Sequence, residues 1–282
     1  MSQMVTFVQP EKRIPMPIHS YYIRNEELAP TEQYITNAGA EIYEVCRVMK
    51  KTPLFIEEHL SRFYRSAALL NIEILHGQND IRERLQRLIL ANDVSEGNIR
   101  FAYQPAQKQF EAYFIPHSYP NAAMTRDGVR FGVLCAERTA PNAKVVQASL
   151  RGDADRMIAQ SGFYEVILVN NRGEATEGSR SNLFFVSGDK LISAPDHEVL
   201  CGITRGKILS ICSAGGIEVQ MKSLPEKEMA AMDAAFITGT SPKILPAASI
   251  ADVKYKLPNL LTSILIDIYD QQIEEYIKSH GL

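Results

Sequence analysis

Residues 41–48 alternate polar and apolar side chains (EIYEVCRV), the two-residue period of a strand with one buried face. The period then lengthens. Over 54–72, Leu60, Phe63, Ala67 and Leu70 recur at helical spacing, while Glu57, Glu58 and Arg65 fall off that stripe. A second amphipathic helix is expected over 80–90 (DIRERLQRLIL), with Asn79 as its N-cap. Residues 98–103 and 110–115 read as a strand pair. The first part of the chain is therefore α+β, strands plus two helices.

Residues 116–128 (PHSYPNAAMTRDG) carry two prolines and many turn formers, the composition of a boundary. We divide the chain into a smaller α+β domain at 1–117, a linker at 118–128 and a larger domain at 129–282. In the larger domain, strands are expected at 129–134, 164–169, 217–221 and 234–238. A helix just after Lys144 is marked by Val146, Leu150, Ala154, Met157 and Ile158. Asn170 to Gly173 reads as a turn, and 183–186 with 190–193 as a hairpin across Ser187-Gly188-Asp189. Helices are expected at 205–212 and near the C-terminus, through Leu261, Ile264, Leu265 and Ile268. There is no internal repeat.

A length of 282 residues favours one or two domains, and 45% hydrophobic with 22% charged residues is ordinary globular composition. The net charge of -3 gives no electrostatic case for nucleic acid or an anionic membrane. No apolar run is long enough to span a bilayer, and residues 1–12 lack the apolar core of a secretory signal. Cys46, Cys135, Cys201 and Cys212 form no CxxC pair, and no two of the six histidines stand four apart. We therefore expect neither a metal site nor a disulfide framework, and a cytoplasmic protein.

Five features could carry chemistry. Gly202-Ile203-Thr204-Arg205 opens a helix, whose first N–H groups and dipole favour an anion. Thr238-Gly239-Thr240-Ser241 ends a strand and brings hydroxyl and N–H donors close together. Arg62 lies beside the apolar face of the first helix, and Glu177 follows a turn and precedes a strand. Lys144 is the only lysine between Lys108 and Lys190 and has two valines after it, an apolar setting that would lower its pKa. Taken singly, each admits a plainer reading: a helix cap, an ordinary turn, a solvated arginine, a surface acid, a surface amine. Together they are phosphate donors, an acid for a ring nitrogen and an isolated lysine, the minimum set for pyridoxal phosphate.

Arg62, Glu177 and the two turns lie in blocks that resemble the class IV aminotransferases, the fold-type IV pyridoxal-phosphate enzymes, and Lys144 stands at that family's spacing before one of them. The blocks are Ile42-Tyr43-Glu44-Val45, Leu54 through Ser61-Arg62, Gly162 through Leu168, Thr176-Glu177-Gly178-Ser179 with Asn182-Leu183-Phe184, Leu200 through Arg205, and Phe236 through Thr240. They run in family order from about residue 39 to 246. The resemblance implies an α/β architecture of two domains, the first α+β, with the cofactor in the cleft between them. It implies Lys144 as the Schiff-base lysine and Glu177 as partner of the pyridine nitrogen. It further implies Arg62, Gly202, Ile203, Thr204, Gly239 and Thr240 around the phosphate, and Leu200 against the ring. Tyr43 would lie on the substrate side, and Arg100 near the substrate carboxylate. A homodimer and small amino-acid and 2-keto-acid substrates, branched-chain ones among them, are implied as well.

The chain also departs from the family pattern. Ser149 stands where branched-chain members often have a tyrosine, and Gly39-Ala40-Glu41 replaces the usual Gly-Asp-Gly. The reading is a transaminase. Its alternatives are a pyruvate-eliminating aminodeoxychorismate lyase and a non-catalytic scaffold that kept the fold.

Overall fold

The computed structural model describes residues 14–36 and 39–281; the leader reading of residues 1–12 lies outside them. The first lobe is one antiparallel sheet of six strands, β1 (Tyr21–Arg24), β2 (Glu27–Pro30), β3 (Ile42–Met49), β4 (Thr52–Pro53), β5 (Glu96–Gln104) and β6 (Gln109–Ile115). Their order is β2-β1-β6-β5-β3-β4. Two helices, α1 (Ile56–Leu69) and α2 (Gln78–Asn92), cover one face. Three of the four residues of the stripe predicted for α1 are buried, with Leu60 and Phe63 packed on Cys46, Ile99 and Phe101 of the sheet; the fourth, Leu70, is exposed just past the helix end.

In the second lobe α3 (Ala122–Asp127) precedes β7 (Val129–Cys135), and α4 (Ala148–Ser161) leads to β8 (Glu165–Val169) and β9 (Glu174–Gly178). Next come β10 (Asn182–Ser187), β11 (Lys190–Ser193), α5 (Ile203–Gly215), β12 (Val219–Met221) and β13 (Leu224–Pro225). The chain ends with β14 (Ala234–Gly239), β15 (Lys243–Ile250), β16 (Val253–Lys254) and α6 (Leu260–His280). The sheet runs β12-β11-β10-β14-β15-β7-β8-β9-β13, and pairing of Asn182 with Glu177 joins β10 back to β9. Six strands therefore close into a barrel. Phe131, Ile167, Leu183, Phe185, Ile237 and Leu245 fill it, while Phe184, Val186 and Phe236 point outward beneath α5 and α6. Both faces of β10 are buried, so its sequence is continuously apolar rather than alternating.

Three local expectations are corrected. Gly77, not Asn79, caps α2, and its N–H donates to the Asp80 carboxylate at 3.0 Å. The expected linker holds α3, capped by Asn121, whose Oδ1 accepts from Met124 N at 2.9 Å. Val146 precedes α4 rather than lying in it.

The lobes meet through α1. Its N-cap, Phe55, takes a left-handed backbone (φ 53°) and has no polar side chain to offer. The missing partner comes from the other lobe: Ile56 N donates to Tyr276 Oη of α6 at 3.3 Å, and that hydroxyl donates to Glu57 at 2.7 Å. Phe55 itself is buried against Tyr276 (ring centroids 4.8 Å apart) and Tyr269 (6.1 Å).

Candidate active site

The cleft between the lobes gathers ten of the eleven residues singled out by the sequence: Tyr43 and Arg62 from the first lobe, and Lys144, Glu177, Leu200, Gly202, Ile203, Thr204, Gly239 and Thr240 from the second. Arg100 is not among its walls. It lies behind Tyr43, 2.7 Å from the Glu41 carboxylate and 3.4 Å from Tyr113 Oη. A larger cavity, about 540 Å³, lies between α3 and α6. None of the marked residues lines it, and its lysine, Lys243, is ion-paired with Asp270, so the inter-lobe cleft is the one with the chemistry.

Arg62 is buried, not solvated. Its Nε and one terminal nitrogen donate to Glu44 at 2.8 and 2.6 Å, and the other donates to Cys201 O at 3.2 Å. Glu44 also accepts from His59 Nδ1 at 2.8 Å. Burial works to raise the Glu44 pKa, but Arg62 and then His59 prevail and bring it down to about 2. Burial, only partly offset by Glu44, lowers the His59 pKa. A fixed guanidinium on a rigid helix results, with one edge turned to the cleft.

Glu177 lies within β9, rather than at the expected turn before a strand. Its Oε2 accepts from Asn182 Nδ2 and Leu200 N, both at 3.2 Å. Its Oε1 stands 2.6 Å from Arg138 Nε, yet the pair is misaligned and neither buried atom has a hydrogen bond. Burial, only partly offset by Arg138, raises the Glu177 pKa. Thr238 Oγ1, on the same wall, is a third buried polar atom without a hydrogen-bond partner.

Gly202 precedes α5 with no side-chain cap, so the first N–H groups of that helix, on Ile203 and Thr204, face the cleft with no carbonyl of their own helix to bond. A Cβ on Gly202 would meet Asn182 Oδ1 at 2.0 Å. That asparagine also donates to Leu200 O at 2.7 Å, so the glycine permits the loop to close on it. Across the cleft, Thr240 Oγ1 donates to Val45 O at 3.2 Å.

Lys144 sits in the loop before α4. Its N–H donates to Ser66 Oγ at 3.2 Å, and its carbonyl accepts from Tyr43 N at 3.2 Å, which ties the loop to α1 and β3. The ammonium nitrogen stands 5.2 Å from the Tyr43 ring centre. Burial, and then Arg62, lower its pKa to about 8. An amine so placed is a competent nucleophile and base near neutrality.

Sequence reasoning missed Arg138, Arg151, Arg180 and Asn182 as walls of the cleft, and Glu44 and His59 behind it, while Thr238, from the strand end it did mark, is one of the walls. Glu44 and Asn182 lie inside the family blocks and could have been marked from them; the three arginines carried no signal. An orphaned carboxylate oxygen, a cradle that admits no Cβ, a helix N-terminus and a lysine lowered to about 8 fit a phosphorylated, protonatable ring such as pyridoxal phosphate.

Comparison with known proteins agrees. Residues 41–250 match the model of the family described as amino-transferase class IV. The chain belongs to this family. Pyridoxal phosphate is the family's cofactor, and the fold is that of its solved members. D-alanine aminotransferase of Bacillus licheniformis is 26% identical over 232 residues, 75% of this chain and 79% of that one. Aminodeoxychorismate lyase of Bacillus subtilis (strain 168) is 25% identical over 264 residues, covering 86% and 89%. Among solved structures, a branched-chain aminotransferase from Thermoproteus uzoniensis with norvaline superposes with a TM-score of 0.82 at 21% identity, over 92% of this chain and 98% of its own.

Proposed function

We propose that this class IV member moves an amino group between a small amino acid and a 2-keto acid, and that Lys144 and Glu177 are its two central residues. One observation carries the reading. Lys144, lowered to about 8, and the orphaned oxygen of Glu177 open on a single cleft that also holds the start of α5.

Bound pyridoxal phosphate supplies the electron sink that takes up the pair left when the substrate α-proton departs. The chain's own residues do the rest. Lys144 Nζ would hold the cofactor and would serve as the base that takes the substrate α-proton and gives it back. Glu177 keeps the ring nitrogen protonated, held in line by Asn182 and by Leu200 N–H. Arg62, the N–H groups of Ile203 and Thr204, and Thr240 seat the phosphate, with Gly202 and Gly239 leaving room. Leu200 packs on the ring and Tyr43 faces the substrate.

The working form is proposed to be a homodimer. Met16, Ile18 and Ile35 of the first lobe are 51%, 45% and 69% exposed, an apolar surface that a second copy would cover. Light scattering of the purified protein reads this directly. A cytoplasmic location is supported by four cysteines that are free. Among the described residues no helix is long and apolar enough to cross a membrane.

The test is spectral. Cofactor-loaded protein is mixed with D- and L-amino acids, and keto acid is measured after addition of 2-oxoglutarate. An absorbance change with keto-acid release supports the transaminase, and Lys144→Ala abolishes turnover. Indifference to every amino acid overturns the reading. Pyruvate released from aminodeoxychorismate, with no acceptor needed, would assign the chain to the lyase branch, to which the Bacillus subtilis relative belongs.

A further inference from the structure

Four guanidiniums line the cleft, and three already face a carboxylate. Arg62 is paired with Glu44 at 2.6 Å, Arg138 with Glu177 at 2.6 Å, and Arg180 with Asp155. Arg151, on the first turn of α4, is the exception. Among the described residues its side chain has no acid partner, and its one hydrogen bond goes to a neutral group, Tyr43 Oη, at 2.7 Å. A cation drawn into a cleft and left with a phenol is under-compensated, because a neutral acceptor offsets its lost hydration less well than an anion does.

We propose that Arg151 seats the carboxylate of the substrate, the group shared by the amino donor and the keto acceptor. This rests on the transaminase reading and assigns to Arg151 the role that family resemblance suggested for Arg100. Arg100 is engaged elsewhere, with Glu41 and Tyr113, and lies outside the cleft. Arg151 lies inside it, on the Tyr43 side, and Lys144 Nζ is 5.2 Å from the ring centre of that same tyrosine. A carboxylate held by Arg151 would thus lie beside the amine that must reach the neighbouring α-carbon. The planar fork of arginine also offers two parallel N–H donors, which match a carboxylate and leave the Tyr43 hydroxyl free to turn to the bound molecule.

The state of Tyr43 agrees. Burial works to raise its pKa, but Arg151, followed by Lys144, Arg138 and Arg100, overcomes this and brings it down to about 8. The cleft therefore carries an excess of positive potential around this phenol, of which Arg151 is the largest source.

The experiment compares propionate with its neutral isostere propionamide, by calorimetric titration of the cofactor-loaded protein, in wild type, Arg151→Gln, Arg151→Lys and Arg100→Gln. Arg151→Gln is expected to weaken propionate about 10- to 100-fold relative to propionamide, as the loss of a charge-assisted pair implies. In turnover, KM for both amino acid and keto acid should rise by a similar factor while kcat changes little. Arg151→Lys, which keeps the charge, should recover part of the affinity, and this separates a binding role from a merely structural one. The proposal is overturned if Arg151→Gln leaves the propionate-to-propionamide ratio within about twofold, or if Arg100→Gln alone removes the preference. The titration needs no turnover, so it reports on Arg151 even if no amino acid proves to be a substrate.

Discussion

Replacing Glu44 with glutamine keeps the side chain's shape and removes one buried charge. Glu44 is fully buried and holds Arg62 through two hydrogen bonds and His59 through a third. Its pKa is brought down from 4.5 to about 2, a depression equivalent to about 3 kcal/mol. An independent scale agrees, since removing one partner of a buried ion pair typically costs roughly 3–5 kcal/mol. Glutamine can still accept one bond from Arg62, which argues for the lower end. For a domain of this order a loss of 1 kcal/mol lowers the melting midpoint by about 2–4 °C, so Glu44→Gln should fall by about 6–12 °C at pH 7. The sign with pH follows from linkage. Because the folded pKa lies below the unfolded one, the stabilisation is complete above about pH 4.5 and disappears as pH falls through about 2. Thermal unfolding followed by circular dichroism between pH 7 and pH 3, with cofactor removed, measures both effects. A variant that melts within about 1 °C of wild type at pH 7 would refute the claim that this carboxylate holds Arg62 at a net gain.

Two further substitutions address the cleft. Gly202→Ala should weaken cofactor binding at least about tenfold, because its Cβ would stand 2.0 Å from Asn182 Oδ1 and must push apart the loop that frames the start of α5; equilibrium dialysis of the cofactor reads this, and unchanged affinity would show that the loop is not part of the seat. Glu177→Gln should lower kcat by about 100-fold or more while inorganic phosphate still competes for the site, since only the charge facing the ring is lost; equal kcat in the two proteins would remove Glu177 from the mechanism.

The sequence made the amphipathic elements readable and hid those that pair on both faces. The helix α1 keeps a less buried side, so its period survives in the residue order, whereas β3 is buried or half-buried throughout and its polar positions Glu44 and Arg47 are paired inside the protein. β15 does not alternate: residues 244–247 are buried in succession between β14 and β7, and Pro246 reads as a breaker although its register partner is Phe236. β9 was hidden for another reason. It is short, and its glutamate looks like a surface acid until Arg138, thirty-nine positions earlier, is brought alongside. The same holds for Arg62, whose burial depends on a carboxylate eighteen residues away. Family blocks pointed to residues that the fold does bring into one cleft, because the order of those blocks along the chain is distinctive. The cleft arginines were not legible, since three guanidiniums on loops and on a helix end look like ordinary surface charge. The turn Ser179-Arg180-Ser181, of which only Ser179 falls in a family block, told little in sequence. The structure shows it fastened by one buried acid, Glu165, which accepts from Ser179 Oγ at 2.6 Å, Ser181 Oγ at 3.1 Å and Arg180 N at 3.2 Å.

The seat of Phe55 has a mechanical consequence. Helix α1 carries Arg62, and that helix starts on a ring sunk into the other lobe and is capped by that lobe's Tyr276. To gape, the two halves would have to withdraw this aromatic plug, at a cost of about 1.5–3 kcal/mol for the ring alone, and expose an uncapped helix end. The mouth is thus a fixed aperture rather than a jaw. Molecules would be sorted by the shape and charge of its rim, to which the segments 138–145 and 179–181 contribute Arg138, Lys144 and Arg180.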